Sequence, residues 1–385
     1  MKSHYRYNKN KNNSDLAPIR VGIIGTVGVP ACYGGFETLA EQLVLLGKRK
    51  IDNRRIEYSV YCSSRSYPIK LDSFHGAKLH YTPLKANGLQ SIPYDIISLI
   101  KAARKCDVLL MLGVSGCVFL PVFRLFCKKR LIINIDGLEH RRQKWSKWVK
   151  KFLKFSEKCA VKYADTIIAD NIGIVDYVTS EYHHPSTLIP YGGDQALINV
   201  PFSRQKDILD NYNIEKGNYA FGLCRIEPEN NVEMILEAFS RISDKEILFV
   251  GNWNNSEYGR TLRQKYSKYP NIHLHDAIYD LTIVNTLRNN CKIYLHGHSA
   301  GGTNPSLVEA MFFGVPILAY DVNYNRYSTL DKAIYFNSSR QLETIINDLN
   351  DDLLKQCGNN MKSIARNKYL WKNIARQYES LYIAP

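Results

Sequence analysis

The chain has 385 residues, 45% of them hydrophobic and 23% charged, with a net charge of +15. That length exceeds one ordinary core, and the composition is that of a globular protein, which excludes a fibrous or wholly disordered chain and predicts two domains. The charge is lopsided: residues 1–195 hold 30 Lys+Arg against 16 Asp+Glu, and the remainder 21 against 20, so only the first half is built to meet something acidic.

Residues 1–18 open as "MKSHYRYNKNKNNSD", polar and basic with no apolar run, and read as a disordered tail and not as a signal peptide. "IRVGIIGTVG" then predicts a buried strand entering a glycine loop, and "GGFETLAEQLVLLGK" an amphipathic helix. Gly22, Gly25 and Gly28 are spaced three apart, which is not G-x-G-x-x-G. Glu57 opens the second strand where a ribose-binding acid would close it, so NAD is not the expected ligand. Gly34 and Gly35, with Glu37 behind them, still offer backbone amides to a phosphate or an acceptor.

"RIEYSVYCSS", "AKLHYTPL", "CDVLLMLG" and "KRLIINIDG" are further short strands with helices between them. "VLLMLGVSGCVFLPVFRLFC" is uncharged only from Val108 to Phe123 and is interrupted by glycines and Pro121. It falls short of the ~20 residues of a membrane span and predicts a strand, a loop and a helix. Asp136, Glu139 and His140 follow a strand end, where acceptor contacts are expected. The helix after them puts Trp145, Trp148, Val149, Phe152 and Cys159 on one face, expected to pack on the sheet. Lys147, Lys151, Lys154 and Lys158 fall on another face, suited to anionic lipid. "ADTIIADN" and "STLIPYGGD" complete this half.

The strand–helix pattern restarts at "NYAFGLCRI" and runs through "EILFVGNW", "NIHLHD", "CKIYLHG" and "VPILAYD". The predicted class is α/β, two doubly wound Rossmann-like domains facing a cleft, with ligands at the carboxyl ends of the strands. Arg225 ends the first strand of this half, placed to grip a diphosphate. In "HGHSAGGTNPSLVEAMFFGVP", Asn304 suits an N-cap, Pro305 the first helical position and Gly314 the left-handed stop. Gly301, Gly302, Thr303 and Asn304 thus form a bare loop at a helix N-terminus, an anion site. Glu309, one turn into that helix, can accept both hydroxyls of a ribose whose phosphates rest on the loop. His296 and His298 have no third ligand nearby, so no metal site is expected, and His298 is read as a neutral donor to a phosphate or sugar. No Asp-x-Asp is present to hold a bridging divalent ion. The nine cysteines form no C-x-x-C pair, which fits a reducing compartment.

Five segments together resemble a known family. "GTVGVPACYGGFET", "NIDGLEHRRQKWSKW", "IPYGGD", "CRIEPENNVEMILEAF" and "HGHSAGGTNPSLVEAM" are similar to the rhamnosyltransferase-like bacterial subgroup of the retaining GT-B glycosyltransferases of family 4, over almost the whole chain. The resemblance implies an N-terminal acceptor-binding domain at 19–195, a C-terminal nucleotide-sugar-binding domain at 196–365, and a final helix at 366–385 crossing back onto the first. It implies Glu309 on the ribose, Arg225 on the diphosphate, Asn231 among the donor contacts, and catalysis with no metal and no cofactor beyond the donor. It further implies a sugar, L-rhamnose from a thymidine nucleotide as first candidate, moved to a lipid-linked saccharide at the cytoplasmic face of an anionic membrane. Two positions depart from the family pattern: Gly301 stands where many members carry a glutamate, and Asn230 and Asn231 where many carry a lysine. The rival readings are a sugar-nucleotide epimerase of the same fold and a basic nucleic-acid-binding protein; no nucleic-acid motif supports the second.

Overall fold

The computed structural model describes residues 16–32, 34–47, 50–51, 53–135, 137–141 and 145–383. The first half contains β1 (Leu16–Ile24), α1 (Gly35–Leu46), β2 (Lys50–Ile51), β3 (Arg54–Ser63), β4 (Ser73–Phe74), β5 (Ala77–Thr82) and α2 (Ser91–Lys105). It continues with β6 (Val108–Leu112), α3 (Leu120–Phe123), β7 (Arg130–Asn134), α4 (Lys147–Tyr163), β8 (Thr166–Ala169), α5 (Ile172–Tyr182) and β9 (Thr187–Leu188). These strands form a sheet in the order β4-β5-β3-β1-β6-β7-β8-β9, with β2 on β3. It is parallel except for the β2–β3 and β4–β5 pairs.

Alternation along the central strands divides the apolar side chains between the two faces. Val108, Leu110 and Leu112 of β6 pack with α1 and the C-terminal helix. Leu109 and Met111 pack with residues of α2, α3, α4 and α5. The segment weighed as a membrane span is thus a fully buried strand, a turn and one short helix. No helix among the described residues is long and apolar enough to cross a membrane.

The second half contains α6 (Phe202–Asn211), β10 (Tyr219–Leu223), α7 (Val232–Phe239), β11 (Glu246–Val250), α8 (Glu257–Tyr266), β12 (Ile272–His275), α9 (Leu281–Asn289) and β13 (Ile293–His296). It ends with α10 (Pro305–Phe313), β14 (Ile317–Tyr320), α11 (Asn323–Thr329), β15 (Ile334–Phe336), α12 (Ser339–Asp348), α13 (Asp351–Lys368) and α14 (Trp371–Ile383). The sheet order is β12-β11-β10-β13-β14-β15, parallel throughout. Strand order reverses beside β10 and β13, and the loops after those two strands carry the candidate residues.

Two expectations are corrected at the chain ends. Leu16, Ala17 and Pro18, assigned to the tail, belong to β1, whose Leu16 pairs with Arg54; the rest of that tail, residues 1–15, lies outside the described residues. The expected crossing helix at 366–385 is two helices, α13 breaking at Tyr369–Leu370 before α14 begins. Tyr369 is buried in the second core, while Trp371, Ile374, Ala375, Tyr378 and Tyr382 are buried in the first. Leu370 therefore stays with the second domain, and Leu381 is only partly buried.

The last helix should hold the first domain together although it is last in sequence. Ile374→Ala is expected to cost about 2–5 kcal/mol, read as a shift in the first domain's urea unfolding transition, with a smaller loss for the half-buried Leu381.

Candidate functional site

The loop after β13 is held from below by the loop after β10. Asn231, at a left-handed φ of 48°, donates from Nδ2 to Gly297 O at 2.8 Å. Ser299 donates through both N and Oγ to Glu229 O at 2.8 Å. Asn230 donates from Nδ2 to Arg225 O at 2.6 Å and presents Oδ1 to His298 Nδ1, also at 2.6 Å. Asn231, expected among donor contacts, is thus spent as a brace. The Asn230 contact also changes the reading of His298. In the neutral ring the proton sits on Nδ1, facing Asn230, so Nε2 is an acceptor, and donation from Nε2 requires the imidazolium. His296 is fully buried beside it, and burial followed by the neighbouring His298 lowers its pKa to about 3. Arg225 is about half exposed, with only a loose 3.7 Å ion pair to Glu227. Its guanidinium remains available to a ligand.

Helix α10 begins as its sequence dictates. Asn304 Oδ1 accepts from Ser306 N at 3.0 Å and Oγ at 2.8 Å, Pro305 takes the first position, and Gly314 ends the helix at φ 71°. Asn304 is accordingly a cap with its side chain occupied.

The loop expected to be bare is covered by the first domain. A Cβ on Gly137 would lie 2.4 Å from Gly301 O, and one on Gly301 2.9 Å from Gly137 O, so two glycines from different domains meet backbone to backbone. Gly302, at φ 89°, lies against the Asp170 carboxylate. Thr303 Oγ1 donates to Asp170 O at 2.5 Å and accepts from Asn171 Nδ2 at 3.3 Å. Gly35 packs on Pro305, whose Cγ would be 3.2 Å from an added Cβ. The structure therefore brings Gly35 against Pro305, the residue that follows the Gly301–Asn304 loop.

The other first-domain candidates divide. Glu37 is buried, its Oε1 accepting from Thr26 Oγ1 at 2.8 Å and Val27 N at 2.7 Å, so it shapes the β1–α1 loop instead of facing a ligand. Asp136 lies outside the described residues. Glu139 accepts from Trp145 Nε1 at 2.9 Å. His140 Nδ1 lies 3.1 Å from Oε2 of Glu157, a carboxylate that the sequence did not single out. Glu157 also accepts from Tyr177 OH at 2.5 Å and Tyr182 OH at 2.6 Å. Burial raises the Glu157 carboxyl, but the bonds from His140, Tyr177 and Tyr182 outweigh it and hold the pKa below its ordinary value.

Glu309 is the best supported side chain in the cleft. Its Oε1 accepts from Gln195 Nε2 at 2.8 Å, and its Oε2 lies 3.0 Å from Nη2 of Arg288, which is 1% exposed. Gln195 Oε1 in turn accepts from Trp371 Nε1 at 2.6 Å, and Asp194 Oδ1 from Trp371 N at 2.7 Å. Glu309 keeps free lone pairs on a carboxylate fixed from two sides. Neither Arg288 nor Gln195 was singled out from sequence. Arg288 falls four residues after Val284, on the apolar side of α9, and that was the signal available.

This pairing makes Glu309 a stabilising residue as well as a candidate ligand group, so Glu309→Ala acts on both. The substitution strands a buried arginine, and is expected to cost about 3–5 kcal/mol. The double variant Glu309→Ala/Arg288→Met should recover part of that loss in thermal unfolding.

Residues 19–194 match a domain of unknown function, DUF1972, and residues 204–366 match the glycosyl transferases group 1 family. No curated protein matches the chain at the sequence level. Among solved structures, sucrose-phosphate synthase from Thermosynechococcus elongatus is 15% identical, with a TM-score of 0.76 over 94% of this chain and 98% of that one. Anabaena HepE, solved with UDP, is 14% identical, with a TM-score of 0.71 over the same shares. A glycosyltransferase from Rickettsia africae is 10% identical, with a TM-score of 0.69 over 95% of this chain and 98% of that one. With its two parallel-sheet domains the chain has the GT-B fold, and its second half, residues 204–366, carries a glycosyl transferases group 1 domain.

Proposed function

We propose that this enzyme moves a sugar, with retention of anomeric configuration, from a nucleotide donor to a lipid-linked saccharide at the cytoplasmic face of an anionic membrane, in surface polysaccharide synthesis. The observation that carries the reading is Glu309, fixed by Arg288 and Gln195 one turn inside the helix that Gly301–Asn304 feed. HepE has also been solved with UDP-glucose, which supports a nucleotide sugar as the donor class. L-rhamnose on a thymidine nucleotide is the first donor to test, through the subgroup resemblance described above. The lipid acceptor is supported by the +14 balance of residues 1–195.

In this reading Glu309 accepts the ribose hydroxyls, and the backbone of the Gly301–Asn304 loop that leads into α10, together with Arg225, receives the diphosphate. The bond between the anomeric carbon and the phosphate oxygen breaks, and charge collects on the diphosphate. Preorganised donors stabilise that charge more than they stabilise the bound donor, which lowers the barrier. The acceptor hydroxyl attacks from the face that the diphosphate leaves, and its proton passes to the departing phosphate. No dedicated base and no metal ion are required by that route. In the present arrangement Gly137, Asp170 and Asn171 cover the loop, so donor entry requires the two domains to part.

A thermal-shift comparison of TDP, UDP, GDP, ADP and NAD tests the donor assignment. One nucleoside diphosphate is expected to stand out, adding about 2.7 kcal/mol at 100 times its dissociation constant, a shift of several degrees. If none shifts, or NAD alone does, the donor site has been misassigned. Arg225→Ala, at a half-exposed position, should leave unfolding unchanged and lower kcat by about 100-fold. An unchanged kcat removes Arg225 from the reaction.

A further inference from the structure

Of the α4 residues that the sequence assigns to the sheet, the fold fully buries only Cys159. Leu153, Ser156, Glu157, Ala160 and Val161 point inward, with Ser156 Oγ bonded to Val114 O at 2.6 Å. Trp148 is 80% exposed and Phe155 54%. These two, with Phe152 between them, lie at i, i+4 and i+7 on one helical face. The stripe ends at Cys159, where α3 and the turn before it close over the helix. Beyond α3 the apolar surface continues through Leu125, 84% exposed, and Phe126, 65% exposed. The Phe126 ring rests on Phe119 and Phe123, and the turn holding Phe119 packs against α4.

The charge beside this stripe has one sign. Lys147, Lys151, Lys158 and Lys162 flank it, and no carboxylate among the described residues pairs with them. The Lys151 ammonium sits 5.4 Å over the Trp148 ring. Lys154, expected on the lipid-facing side, is instead neutralised by Glu181 at 2.8 Å and Glu157 at 3.6 Å. Glu157 is the one acid in α4, and it is buried. The outward side of the helix therefore has exposed apolar groups and cations and no anion.

We propose that this face docks the enzyme on an anionic lipid surface, with Trp148, Phe155, Leu125 and Phe126 entering the interfacial layer and the flanking lysines meeting lipid phosphates. The proposal deepens, and rests on, the reading of a lipid-linked acceptor. An indole, two phenyl rings and a leucine beside a cation rail suit the boundary between headgroups and acyl chains. Aliphatic Leu125 offers nothing to stacked bases, and the unpaired lysines would repel their own copies across a two-fold contact. Helix α4 follows the carboxyl end of β7, so Trp148 lies at its cleft end, next to the loop of Glu139 and His140. Docking there would bring the lipid surface to the acceptor side of the cleft.

The full chain is mixed with phosphatidylcholine vesicles, with and without 30% phosphatidylglycerol. Bound protein is measured by sedimentation, and tryptophan emission is recorded. Binding is expected only with the anionic lipid, with a blue shift that Trp148→Phe abolishes while binding persists. Leu125→Ser/Phe126→Ser and Lys151→Glu/Lys158→Glu should each weaken binding about tenfold or more. Equal binding by all variants overturns the proposal. So does a dimer in light scattering that Leu125→Ser/Phe126→Ser dissociates, since the face would then join two copies. The nucleotide thermal shift should be unchanged in every variant. Vesicle binding without transfer to a lipid-linked acceptor would sink the functional reading and leave the face standing. Transfer without vesicle binding would do the reverse.

Discussion

The arrangement depends on one indole. The chain passes between its two sheets at residues 190–196 and again at 369–371, and Trp371 closes both passages at once. Its ring lies so close to Gly192 that a Cβ there would fall 2.5 Å from it. Its backbone N–H is taken by Asp194 and its indole N–H by Gln195. Gly193 N donates to Tyr369 O at 3.0 Å, tying the two passages directly. Because Gln195 also holds Glu309, the carboxylate of the proposed ribose site is positioned from the hinge between the domains as well as from α9. A shift of the hinge has a short polar path to the donor side of the cleft.

The second constraint is the meeting of Gly137 and Gly301. Backbones can approach this closely only where neither residue carries a Cβ. At Gly301 a Cβ would fall 2.9 Å from Gly137 O, so in this arrangement no side chain fits there. The glycine is therefore coupled to how the first domain covers the loop through Gly137, Asp170 and Asn171.

Much of the architecture was legible in the sequence because it rests on local rules. The alternating strands, and the cap and stop of α10 at Asn304 and Gly314, follow from residue type and spacing. The face of α4 was misread for a definite reason: the buried positions include Ser156 and Glu157, whose partners Val114, His140, Tyr177 and Tyr182 lie elsewhere in the chain. Hydrophobicity alone selected the stripe through Trp148, Val149 and Phe152. The polar braces at Glu37, Asn231 and Asn304 look like ligand contacts in sequence, because the same groups serve either purpose. Arg288 stayed hidden because its partner is on another helix, and Gly301 because Gly137 is far away along the chain.

The placement of α14 bears on how the protein comes to be folded. A domain usually assembles as soon as its residues leave the ribosome. Here one apolar face of the first sheet has only α1 over it, and lacks the rest of its cover, until Trp371, Ile374, Tyr378 and Tyr382 have been synthesised. Through translation of the whole second domain, Val108, Leu110, Ile132 and Ile168 wait for partners that come last. The N-terminal half is thus completed after the C-terminal half, and a chain that ends early leaves its first domain, not its second, open to aggregation.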